Sequence, residues 1–282
     1  MISLVKSYVR PGQALRRARR VPAVGVVALI AVIAVAGCSG SGSSKKPSAA
    51  KPMSASKAIT LAADATQKIR SLTANFDVSV VTGHVTATMQ MQLKPTYLID
   101  MNLSVTPPGQ AATNLEEILT PKALFLKDPQ LSQRLGKPWL EISMATLSSR
   151  SGVNFTQLLQ NLENTNPENQ VKFFTASKDV HVVGQQTIGG VATTEYAGSY
   201  TPAAAIKQLP AGLHKLLAPV LKLLGSNPVQ FHVWIDGHHL TRKAVINETI
   251  AGQSAVTTYT ITSVNQPVHV TYPSPGEVRQ YP

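Results

Sequence analysis

The hydrophobic rhythm of this chain changes at about residue 70. Before that point Ile59, Ala62, Ala63, Thr66 and Ile69 recur at spacings of three and four. That spacing predicts a helix over roughly 55–70 with one buried face, and Ser54 or Ser56 is placed to cap it. After it the period is two. Phe76, Val78 and Val80 alternate with Asp77 and Ser79, and Gly83 makes a turn. Val85, Ala87, Met89, Met91 and Leu93 then alternate with Thr86, Thr88, Gln90 and Gln92. Lys94-Pro95 turns the chain again, and Tyr97, Ile99, Met101, Leu103 and Val105 alternate with Asp100, Asn102 and Ser104. Pro107-Pro108-Gly109 precedes strands near 112–119 and 123–127. Strands this close in sequence, joined by short turns, form an antiparallel meander with one apolar and one polar face.

The middle of the chain reads as helical. Phe155, Leu158, Leu159 and Leu162 form a stripe after Asn154, and a short helix runs through Val171 and Phe174. A hairpin over 180–186 and 191–200 turns at Ile188-Gly189-Gly190. In 202–224, Leu213, Leu216, Leu217, Val220, Leu221 and Leu224 share a stripe opposite Lys215 and Lys222, with a kink at Pro219. Three strands (229–236, 242–250 and 255–264) follow, turning at Gly237-His238-His239 and Gly252-Gln253. Residues 273–282, at the Pro-rich end, read as a loose tail.

A long antiparallel sheet with one apolar face needs a cover, and the helical segments supply it. The expected fold class is α+β, a strongly curved antiparallel sheet with helices packed in or over its concave side. Three methionines (Met89, Met91 and Met101) lie on the apolar face. Flexible thioether chains suit either an irregular core or a pocket that accommodates variable apolar ligands, and the residues alone leave both open.

Charge identifies the N-terminal segments. The 282-residue chain has a formal net charge of +12, but residues 1–37 hold six bases and no acid. Residues 38–57 hold four bases and no acid, and beyond them sixteen bases face fourteen acids. The domain is therefore close to neutral, and with aromatics at 5% it lacks the basic, aromatic-studded surface that nucleic acid requires. Arg16-Arg17-Ala18-Arg19-Arg20 precedes an apolar run from Val21 to Ala36, shorter than the roughly 20 residues of a comfortable membrane span. It ends Val35-Ala36-Gly37-Cys38, which resembles the lipobox of bacterial lipoproteins. The resemblance implies an export signal over 1–37, and Cys38 as the acylated N-terminus that anchors the protein to the outer face of the cell membrane. Cys38 is the single cysteine, so no disulfide is available to the domain. Residues 38–53, rich in Ser, Gly, Lys and Pro, form a solvated tether. Residues 54–272 remain as a single domain.

Catalytic signatures are lacking. Seven histidines are scattered, and neither a Gly-x-Ser-x-Gly elbow nor a His-Glu-x-x-His site is present. His238-His239 near Asp236 reads as a solvated turn, because adjacent side chains of an extended strand point apart. Glu116 and Glu117 alternate faces and are expected to face solvent or a helix. The reading is of a non-enzyme with no cofactor and no metal.

Four groups of segments carry a family resemblance: Leu124-Phe125-Leu126-Lys127 with Gly136-Lys137-Pro138-Trp139-Leu140-Glu141-Ile142; Gly184 with Gly189-Gly190-Val191-Ala192-Thr193-Thr194-Glu195-Tyr196; Val233-Trp234-Ile235-Asp236 with Leu240-Thr241-Arg242-Lys243; and Asn265-Gln266-Pro267-Val268. The chain resembles the actinobacterial envelope lipoproteins of the LppX and LprG type, within the LolA-like half-barrel class. The resemblance implies a half-barrel wrapped on helices, with a hydrophobic cavity that binds a lipid or lipoglycan for carriage across the envelope. Expected partners are the membrane, through the lipid anchor, the lipid ligand and a membrane transporter. The residues expected to line it are Val78, Val80, Val85, Met89, Met91, Ile99, Met101, Leu103, Leu217 and Leu221. The alternative is a structural or interaction lipoprotein of the same fold with a filled core.

Overall fold

A computed structural model describes residues 53–66, 68–151, 154–155, 157, 172–208, 214 and 224–281. The chain enters the fold through α1 (Ala55–Thr66), whose Ala58, Ile59, Ala62, Ala63 and Thr66 are buried. The Ser54 hydroxyl accepts the amide of Lys57, as a cap. The expected helix reached to about residue 70, but the chain leaves helical geometry earlier. Ile69 N–H bonds Thr66 O in a turn that delivers Ser71 to the first strand.

A meander follows: β1 (Ser71–Val80), β2 (Gly83–Gln92), β3 (Leu98–Thr106), β4 (Thr113–Leu119) and β5 (Ala123–Lys127), each pairing antiparallel with the next. Three elements absent from the sequence reading come next. They are α2 (Pro129–Leu135), β6 (Trp139–Ser143), paired to β5, and α3 (Met144–Ser151). α2 has local causes. The Asp128 carboxylate accepts from the amides of Gln130 and Leu131 at 2.7 and 3.1 Å, Pro129 occupies the first turn, and Gly136 closes the helix at φ 65°.

α4 (Lys172–Thr175) leads to β7 (His181–Ile188) and β8 (Val191–Tyr200), and α5 (Pro202–Lys207) leads to β9 (Val229–Asp236), β10 (Thr241–Ile250) and β11 (Gln253–Val264). This second meander runs inward from β7 until β11 pairs with β1, Phe76 opposite Tyr259. One twelve-stranded sheet results, ordered β12-β6-β5-β4-β3-β2-β1-β11-β10-β9-β8-β7. It is curved and open, and its two edge strands do not meet. The α+β half-barrel expected from the sequence is the fold observed.

The core lies on one face of this sheet. Ile59 of α1, Phe174 of α4, and Met89, Phe231 and Tyr259 of the strands belong to a single buried cluster. Phe174 packs against Phe231 at 4.6 Å between centroids, the rings tilted by 34°. Gly198 on β8 makes room there, since a Cβ at that position would stand 2.6 Å from Ser177 Oγ and 3.0 Å from Phe231 Cζ.

The C-terminal end corrects the loose-tail expectation. β12 (Val278–Gln280) pairs parallel with β6, Val278 opposite Trp139, after a short 3₁₀ turn over Pro275–Glu277. Tyr281 N–H donates to Glu141 O at 2.8 Å, and Lys137 Nζ donates to Gly276 O. A five-residue edge strand leaves backbone groups unpaired, and the C-terminal segment satisfies them. Leu158, Leu159, Leu162 and Val171, and the leucine stripe over 213–221, lie outside the described residues.

Candidate functional site

Antiparallel register decides which side chains meet. On the core face Val78 stands opposite Val85, Ala74 opposite Met89, Met89 opposite Met101, Met91 opposite Ile99, and Ala87 opposite Leu103. Seven of the residues singled out by alternation (Val78, Val85, Met89, Met91, Ile99, Met101 and Leu103) are thus neighbours in one buried patch. Val80 shares the face at its margin and is half-buried, as is Val105. Cys38, Leu217 and Leu221 lie outside the described residues.

This face is not uniformly apolar. In β4 the side chains of Leu115, Glu117 and Leu119 share the core side, while Glu116 points outward and forms an ion pair with Lys127 at 2.7 Å. Glu117 sits between Met101 of β3 and Leu126 of β5 and is buried. It has no hydrogen-bond partner among the described residues, and burial pushes its carboxyl up to about 7, with the positive charge of the amino terminus opposing the rise. Of the two glutamates expected to face solvent or a helix, Glu116 is on the outer face and Glu117 is on the helix-covered face, buried. The signal was in the sequence: period two places residue 117 with Leu115 and Leu119.

A second polar group marks the half-buried margin. Glu248 follows Ala244 and Ile246 along the core side of β10 and stands opposite Ala255, and burial pushes it up to about 7. Tyr200, opposite Val229, and Tyr259 are raised above the usual phenol range by burial, with Glu248 adding to the effect at Tyr200. Thr257 is fully buried one step further along, its hydroxyl without a partner among the described residues.

The opposite face is polar. It holds an open groove of about 800 Å³ lined by short side chains such as Asn75, Thr88, Asn102 and Asn114, with Glu116 and Lys127 at one side. Further along that face, buried Asp236 accepts from the amides of His238 and Leu240 at 2.8 and 2.9 Å and from Arg242 Nε at 2.7 Å. The His238-His239 turn is thus organised by Asp236. The backbone of His239 has φ 65°. His232 Nδ1 lies 2.7 Å from Glu195 Oε1, and Lys243 Nζ lies 4.6 Å from the centroid of Trp234. These contacts join adjacent strands on the outer face, away from the apolar one.

No protein-family model matches the chain. An uncharacterized 31.2 kDa protein of Streptomyces griseus is 31% identical over 111 residues, which are 38% of this chain and 36% of that protein. The match thus spans about a third of the length of that curated relative. Among solved structures, the chain is similar to the lipoprotein LppX of Mycobacterium tuberculosis (TM-score 0.48, 20% identity, 77% of this chain and 98% of that one). It is also similar to LprF of Mycobacterium bovis (TM-score 0.46, 17% identity, 78% and 97%) and to MucB (TM-score 0.34, 12% identity, 80% and 62%).

Proposed function

We propose that this protein is a lipoprotein anchored through Cys38 to the outer face of the cell membrane, and that it binds the acyl chains of a lipid or lipoglycan on the concave face of its half-barrel for carriage across the envelope. The supporting observation is the paired array Val78–Val85, Met89–Met101, Met91–Ile99 and Ala87–Leu103 on one face of an open sheet. Such an array offers an acyl chain contact along its length, and the unbranched methionines adapt to chains of different shape.

The energetics are adequate. Each methylene transferred from water to this face gains about 0.8 kcal/mol. Ten of them give about 8 kcal/mol, which offsets an association cost of several kcal/mol, and the remaining methylenes of a long or double acyl chain supply the surplus for micromolar binding. The anchor fits the task as well, because two or three acyl chains on the N-terminal cysteine hold a protein at a membrane stably while a solvated tether lets the domain reach a donor and an acceptor. A membrane transporter that loads or unloads the domain completes this reading.

The test is uptake of a fluorescent fatty-acyl probe by the purified protein, with transfer of the bound probe to acceptor vesicles. Saturable uptake followed by transfer supports a carrier. A protein that takes up no acyl probe belongs to the structural or interaction class with a filled core. The anchor is tested separately. Cys38→Ala should abolish metabolic labelling with a clickable fatty acid, since no other thiol can accept the diacylglycerol.

A further inference from the structure

Glu117 is an anomaly for an apolar lining. A carboxyl transferred from water into apolar surroundings without a partner is costly, and a leucine would fit the same strand position at no such cost. Among the described residues its strand neighbours are apolar: Met101 and Leu126 directly across, Leu115 and Leu119 along its own strand, and Ile99, Leu103 and Leu124 diagonally. α2 turns Leu131 and Leu135 to the core, while its Arg134 is exposed and Asp128 caps its amides. Asp100, Glu116 and Lys127 lie on the other face. The Met101 thioether opposite is only a weak acceptor. The neutral carboxyl thus presents an O–H donor to the acyl-binding face with no acceptor among the described residues.

We propose that Glu117 is a specificity-determining residue of the ligand site, and that its carboxyl O–H donates to the ester carbonyl of an acyl chain lying along the Met89–Met101 row. The inference rests on the lipid-binding reading and deepens it. The ligand class becomes acyl esters, as distinct from plain hydrocarbons, and the ester is fixed at β4 with its chain running toward β2 and β1. Burial holds the carboxyl in its donating form up to about pH 7. Above that it becomes acceptor-only and repels the carbonyl oxygen, so the preference for an ester should fade as the pH rises.

The experiment uses the full acylated protein in phosphatidylcholine vesicles. It is photolabelled with a diazirine-bearing fatty methyl ester or with a diazirine hydrocarbon of equal length, at pH 6 and pH 8.5. In the wild type the ester should label more strongly than the hydrocarbon at pH 6, by about fivefold for one neutral hydrogen bond, and the excess should shrink at pH 8.5. Glu117→Gln, whose amide still donates, should keep the excess at both values. Glu117→Leu should take up both probes equally. An undiminished ester preference in Glu117→Leu overturns the role of Glu117 and leaves lipid binding standing. Labelling by neither probe in the wild type overturns lipid binding and this role together.

Discussion

Met101 and Glu117 stand directly opposite each other in the pairing of β3 with β4, so a thioether and a carboxyl share one rung of the apolar face. The rung continues through Met89 to Ala74 on one side and Leu126 on the other. Its single ionisable group makes the stability of the domain sensitive to pH.

The sign follows from proton linkage. An ordinary glutamate ionises near 4.5 when the chain is unfolded, whereas Glu117 in the fold holds its proton to about 7. Between those values the folded state binds the extra proton, so stability falls as pH rises through the window and levels off above it, by on the order of 3 kcal/mol. Glu248 acts in the same direction over the same window. Glu117→Gln should therefore melt higher than the wild type at pH 8.5, and the gap should narrow toward pH 5. Thermal unfolding followed by circular dichroism at the two pH values checks this. A wild type whose melting temperature rises from pH 5 to pH 8.5 relative to Glu117→Gln contradicts it.

Asp236 holds the β9–β10 turn through two backbone amides and Arg242. Asp236→Ala strands these buried donors and leaves the guanidinium without its partner. It should cost about 3 kcal/mol. Urea unfolding of the variant measures the loss. Because the turn lies away from the methionine face, acyl-probe affinity should be unchanged in the fraction that remains folded.

Met91→Trp separates a pocket from a packed core. If the face receives a ligand, the indole occupies ligand space, so the melting temperature holds while acyl-probe uptake falls. If the face is filled, the larger side chain overpacks it and stability drops by about 1–3 kcal/mol. Paired melting and uptake measurements on this one variant distinguish the two outcomes.

The sequence made the local half of this architecture legible. Alternation from Phe76 to Val105 placed the methionines on one face because each strand is half-buried, and short turns fixed the order of neighbours. Joining the two meanders through Phe76 and Tyr259 could not be read this way, because periodicity carries no information about which distant strands pair. β6 and β12 are too short for alternation to register, and β12 is held by the edge that β6 leaves open. α2 did carry a signal, Asp128-Pro129 at its start and Gly136 at its end, but it is only seven residues long and its apolar face is the single pair Leu131 and Leu135, too short to register as a period. Glu117 was legible in principle. Alternation separates Glu116 from Glu117 onto opposite faces, and the period shared with Leu115 and Leu119 is what places Glu117 inside.

Native mass spectrometry of the protein purified from its own host under non-denaturing conditions shows whether the concave face carries an acyl lipid. The spectrum should contain, in addition to the acylated chain, a mass adduct that dissociates on activation and fragments as an acyl ester, reduced in Met91→Trp. A wild-type spectrum containing only the acylated chain, from a preparation that also takes up no added acyl lipid, would contradict it.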